Sequence, residues 1–199
     1  MTETAGSGDL GFAIASRSAA PGGKTSLGHA LEIVRRDAGG QWRIALRREI
    51  AHAGPAGDAV ATAADIAAAA KRENPGPPPA RVLEGDPIES ASREFQDAAR
   101  DAGVDGALRA YGRNAGFILL VEGEAPMGLG AADRYWKRRA APGAWTEREH
   151  GRSADATLGY RAGEVAAGGP RAYVQIWQFD PKVANWGLRV LLISSAVSK

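Results

Sequence analysis

Residues 171–193 read RAYVQIWQFDPKVANWGLRVLLI. Two apolar runs, 172–179 and 186–193, flank a polar connection holding Asp180, Pro181 and Asn185. Tyr, Val, Ile, Trp, Phe and Leu dominate both runs, and such side chains suit a pleated, half-buried surface. No two-residue Asn-Gly turn is present, so the stretch reads as a β-hairpin with a longer loop. Residues 29–50, HALEIVRRDAGGQWRIALRREI, repeat the design. There Trp42, Ile44 and Leu46 alternate with Arg43, Ala45 and Arg47. Ala38-Gly39-Gly40 turns the chain after Asp37.

Working outward, residues 1–8 are small and polar and read as a frayed end, 10–16 (LGFAIAS) as a strand, and 18–25 as a Gly/Pro loop. Alanine propensity and Thr62/Asp65 at capping-box spacing predict a helix over 58–72 with a thin apolar face. NPGPPPA at 74–80 reads as a semi-rigid linker. The best helix spans 86–102: Asp86 suits the N-cap, Pro87 the first helical position, and Glu89 closes the capping box. Ile88, Ala91, Phe95, Ala98 and Ala102 form its apolar stripe, and Gly103 ends it. A second short helix over 106–111 follows Asp105. Then come a strand at 117–121, a Gly-rich loop at 122–130, a helical turn at 131–137 carrying Tyr135 and Trp136 inward, and strands at 145–150 and 157–163. Helices followed by hairpin-linked strands predict an α+β fold with helices on one face of a mostly antiparallel sheet. The domains predicted are 1–54 (three strands), 55–85 (helix and linker) and 86–199.

The composition narrows the function classes. A net charge of +2 gives no basic block for nucleic acid or a membrane surface. The absence of cysteine removes disulfides, thiolate catalysis and Cys-based metal sites. Three dispersed histidines do not make a metal site, and no apolar run approaches the ~20 residues that span a bilayer. No cofactor motif is complete. Gly23-Lys24-Thr25 has Ser18 where a phosphate-binding loop needs glycine, and Gly128-Leu129-Gly130 has Asp133 in place of the third glycine. The compartment stays open: cytoplasmic, or exported with a leader outside this chain.

An internal repeat runs through the chain. SGDLGF (7–12) aligns with Asp155–Tyr160, residues 30–34 with 173–177, Asp37 with Asp180, and Trp42 with Trp186. SGDLGF with LEIVRRDAGGQW, and ATLGYRAG with VQIWQFDPKVANW, resemble the nuclear transport factor 2-like superfamily, in particular its SnoaL-like and ketosteroid-isomerase-like bacterial members. EGEAPMGLGAADRYW (122–136) resembles a further segment of the same family. The resemblance covers 88–195 as a complete copy and 7–52 as a truncated one. It implies a cone-shaped, cystatin-like α+β roll, in which a curved antiparallel sheet wraps around helices and an apolar pocket opens at the wide end. It also implies a homodimer formed through the sheet. The truncated copy needs a cover for its exposed sheet face, from the second domain or from another subunit.

Isomerase chemistry of that family needs a carboxylate base in an apolar pocket, with donors at the developing oxyanion. The candidates are Asp133, beside Tyr135 and Trp136, and His150, on a Thr146/Arg148/His150 strand face. For both, a solvated structural role is the competing reading. Glu122 and Glu124 read as solvated loop residues. Phe95, Tyr111, Tyr135, Trp136 and Trp177 are the candidate pocket lining, with core packing as the alternative for each. Three functions stand open: a binder of a small apolar molecule or a scaffold; an isomerase, cyclase or hydrolase using Asp133 or His150; and an interaction module.

Overall fold

The strand-forming runs assemble into two open sheets in the computed structural model, which describes residues 2–19, 26–52, 86–113 and 116–195. The expected helix over 58–72, the linker at 74–80 and Gly23-Lys24-Thr25 lie outside the described residues. The first sheet is a meander of β1 (Thr2–Thr4), β2 (Leu10–Ala19), β3 (Ser26–Arg36) and β4 (Trp42–His52). Helix α1 (Pro87–Tyr111), β5 (Ile118–Val121) and helix α2 (Leu129–Trp136) follow. Then come β6 (Trp145–Arg152), β7 (Leu158–Ala166), β8 (Pro170–Asp180) and β9 (Asn185–Ser195). The second sheet has the order β5-β9-β8-β7-β6, antiparallel except for β5 beside β9. The described architecture is therefore α+β. Thr2–Thr4 pairs with β2 and is not frayed, so the N-terminal unit has four strands where the sequence predicts three.

The two meanders share their ladder register. In the first, Phe12 stands opposite Ile33, Ile33 opposite Leu46 and Arg36 opposite Trp42, with a register shift between Ile33 and Val34. In the second, Tyr160 stands opposite Ile176, Ile176 opposite Val190 and Phe179 opposite Trp186, with a shift between Ile176 and Trp177. A bulge adds a residue to one strand and bends it, so both ribbons bend at the same point.

The second sheet is covered on both faces. On one side, Leu10, Phe12, Ile33 and Leu46 of the first sheet pack with Tyr160, Ile176, Val190 and Leu192 in one buried cluster. Each such aliphatic or aromatic side chain contributes about 1.5–3 kcal/mol by leaving water. The sequence leaves the cover of the first sheet's apolar face to the second domain or to another subunit; here the second sheet supplies it. On the other side, Ile88, Phe95 and Leu108 of α1 and Trp136 of α2 pack on Trp177, Leu188 and Leu191. Gly159 permits this docking, because a Cβ there would lie 2.1 Å from Ile88 Cδ1.

Helix α1 begins as predicted, with the Asp86 carboxylate accepting the Ile88 amide at 3.0 Å. Gly103 leaves helical geometry at φ 80°, and the chain resumes the helix beyond it through Tyr111. Trp186 and Trp42 part company. Trp186 is buried against Phe179, but Trp42 is 40% exposed, with the Arg36 guanidinium 5.0 Å from its ring centroid. The two tryptophans that the sequence aligns have opposite surroundings: Trp186 is packed in the helix-covered cluster, and no described element covers Trp42.

Candidate functional site

Asp133 sits on α2 and is not part of the lining of the cavity described below. Its carboxylate pairs with Arg109 at 2.7 Å and with Lys137 at 3.1 Å, tying α2 to α1. Hydrogen bonds from Arg109 and then Lys137 hold it below the usual carboxylate range. A general base needs its pKa raised toward neutrality, so this environment points the wrong way. Asp133 is an inter-helix tie.

His150 lies on the exposed surface of β6, its side chain 60% accessible, with Nδ1 2.6 Å from Glu147 Oε1. Simple alternation puts these two residues on opposite faces. A bulge between Glu147 and Glu149 inserts one residue and brings them to the same face. Glu147 also binds Arg161, whose other terminal nitrogen reaches Asp86 at 2.9 Å. Arg161 is almost wholly buried, so this network anchors the start of α1 to the sheet.

Phe95, Tyr111 and Trp177 form a packed aromatic wedge between α1 and the sheet. Their ring centroids are 6.1–6.4 Å apart in edge-to-face pairs, and Trp145 adds a fourth ring against Phe95. Phe95 and Trp177 are fully buried. The Trp177 indole N–H and the Ser92 hydroxyl both donate to Gln175 Oε1, at 3.1 and 2.7 Å. All three pack in the cluster between α1 and the sheet, and none lines the cavity described next.

Tyr135 and Trp136 do line a cavity, of about 420 Å³. It lies between the end of α2, the loop after β5 and the turn from β7 to β8. Val121, Ile193 and Trp136 supply apolar wall; Ala140, Ala167 and Gly168 line it further. Glu122, Glu124, Arg139 and Arg171 complete the lining. The Arg139 guanidinium lies 3.5 Å from the Tyr135 ring centroid and pairs with Glu124 at 3.3 Å. Glu122 accepts the Ser195 amide at 2.5 Å. Hydrogen bonding from Ser195, with the charge of Arg171 nearby, holds Glu122 below the carboxylate range. Burial raises the Tyr135 phenol. Arg171 donates through Nε to the Ala167 carbonyl at 3.2 Å.

Sequence reading missed Arg139 and Arg171 and left Glu122 and Glu124 as solvated. The only signal was position: each stands at or just beyond the end of an element whose apolar residues point inward. Among the described residues, no group of three or more His, Asp or Glu is placed to hold a metal ion.

No family model matches the sequence, and no curated protein matches it. Solved structures do resemble the fold. An NTF-2 like protein of unknown function from Shewanella oneidensis MR-1 aligns over 55% of this chain and 98% of its own, at 12% identity and a TM-score of 0.44. A ketosteroid isomerase-like protein from Erwinia carotovora atroseptica SCRI1043 aligns over 57% of this chain and 95% of its own, at 17% identity and a TM-score of 0.43. A DUF4783 family protein from Bacteroides uniformis ATCC 8492 aligns over 53% and 97%, at 11% identity and a TM-score of 0.42. These neighbours are thus NTF-2-like and similar proteins, matched at low identity over about half of the chain.

Proposed function

We propose that the chain is a small-molecule-binding domain of the SnoaL-like kind, which holds its ligand in the cavity beside Tyr135 and Trp136 without catalysing a reaction on it. The observation that carries this reading is the cavity itself, whose volume falls in the range of ligand sites and whose wall joins apolar and aromatic surface to a few charged groups. The isomerase alternative loses support from the placement of its two candidates. Asp133 and His150 both lie outside the cavity lining, and Glu122, which lines it, is held ionised rather than raised toward neutrality. Ligand-observed NMR with a library of small aromatic and polycyclic molecules tests the reading. Hits are expected that Ala140→Trp abolishes by filling the cavity; hits indifferent to that change, or no hits, would count against it.

The N-terminal sheet, in the same proposal, is a cut-short copy of the C-terminal one. It stands where a second subunit would otherwise pack. The shared register and the shared bulge position support this, as do the hydrogen bonds that join residues 6–9 to residues 154–157.

A further inference from the structure

Resting on the binding reading above, we propose that the cavity takes a small aromatic carboxylic acid. Its carboxylate meets the Arg171 guanidinium, and its ring lies against Val121, Trp136 and Ile193. The charged groups of the lining sort into engaged and available ones. Arg139 is engaged three ways: it covers the Tyr135 ring, pairs with Glu124, and donates to the Tyr135 carbonyl at 3.1 Å. Glu122 is held by the Ser195 amide. Arg171 donates only through Nε, to the neutral Ala167 carbonyl; its charge acts on nearby Glu122, but its two terminal nitrogens make no hydrogen bond or ion pair within the described residues. A planar guanidinium with its outer edge unspent matches a carboxylate, which can take two parallel N–H donors.

The remaining wall selects the body of the ligand. Trp136 is 94% buried by its 6% exposure, and its indole N–H has no acceptor among the described residues. Val121 and Ile193 add apolar surface, and the cavity volume admits a ligand of one or two rings. Glu122 supplies a test of sign. An anion on Arg171 is repelled by the Glu122 carboxylate, whereas an amine or a zwitterion would be attracted by it.

The test is a titration of the ¹⁵N-labelled full chain at low salt with phenylacetate, phenylacetamide and phenethylamine. Phenylacetate is expected to bind about tenfold tighter than phenylacetamide, the gain of one charge-assisted contact. Arg171→Gln should erase that difference, Arg171→Lys should keep part of it, and Glu122→Gln should tighten phenylacetate. Equal binding of acid and amide, with Arg171→Gln silent, overturns the proposal. So does phenethylamine binding best, with Glu122→Gln weakening it. In both cases, blockage by Ala140→Trp leaves the binding reading standing. If none of the three probes moves an amide lining the cavity, this proposal falls, and the binding reading is decided separately by the library screen.

Discussion

Ser7, before β2, and Asp155, before β7, are hydrogen-bonded to each other, the Ser7 amide donating to Asp155 Oδ2 at 2.6 Å. Their neighbours contact reciprocally: the Gly6 amide donates to Thr157 Oγ1 at 3.4 Å, and the Ala154 amide to Asp9 Oδ2 at 2.9 Å. Under the alignment of SGDLGF with residues 155–160, Gly6 corresponds to Ala154 and Asp9 to Thr157. A contact from i to j mirrored by one from j to i is the mark of a two-fold interface between like subunits. The proposed tandem relationship therefore predicts that the chain pairs with itself internally. Sedimentation equilibrium should give the monomer mass of 20.7 kDa. A stable dimer in solution would remove the reason for assigning this role to the N-terminal sheet.

Asp155 is the hub of that junction. Burial pushes its carboxyl up, but hydrogen bonds from Ser153, Thr157 and Ser7 outweigh burial and leave it below the usual carboxylate range. A depressed folded pKa stabilises the protein above the unfolded pKa and loses that contribution as pH falls through the folded value. Asp155→Ala should cost about 1.5–3 kcal/mol in urea unfolding at neutral pH, as expected for charge-assisted hydrogen bonds. The cost should shrink in strong acid.

The inter-sheet core should be equally sensitive on both sides. Ile33 and Ile176 are each about 1% exposed within one cluster. Ile33→Ala and Ile176→Ala should each cost about 2–5 kcal/mol, and urea should unfold the chain in one transition. A mild effect at Ile33 with a separate early transition would mean that the N-terminal sheet is only loosely docked.

His29 and His52 stack on the first sheet with ring centroids 5.2 Å apart. Burial, then the neighbouring His52 charge, lowers the His29 pKa from 6.5. The unfolded chain then binds a proton more readily than the folded one, so stability falls as pH drops below about 6.5 toward the folded value. His29→Gln should flatten the dependence of Tm on pH between 7 and 5. An unchanged slope would show that other groups carry it.

Asp133→Asn and His150→Gln should leave ligand affinity at the cavity unchanged, since neither residue lines it. Titration of both variants with one cavity ligand checks this. A large loss in either would return that residue to the site.

Much of the fold was legible because local rules agreed. The Asp86-Pro87 start of α1, the break at Gly103 and the β8–β9 ribbon each follow from a short stretch of chain. The lining of the candidate cavity was legible only in part, because cavities form where separate elements end. Tyr135 and Trp136 could be placed by their aromatic character. Arg139 and Arg171 could not, as nothing local distinguishes them from solvated arginines. His150 was misplaced for a different reason: a one-residue bulge at 147–149 inverts the face that alternation assigns. Phe95, Tyr111 and Trp177 were offered as lining, but large rings on facing elements fill a space as readily as they border one.

The binding of a small molecule beside Trp136 is tested most directly by ¹⁹F NMR of the chain labelled with 5-fluorotryptophan, which reports on Trp42, Trp136, Trp145, Trp177 and Trp186 separately. Titration with phenylacetate is predicted to move the Trp136 resonance while Trp42 and Trp177 stay fixed. A Trp136 signal that does not respond, or one that moves no more than the other four, would contradict the account.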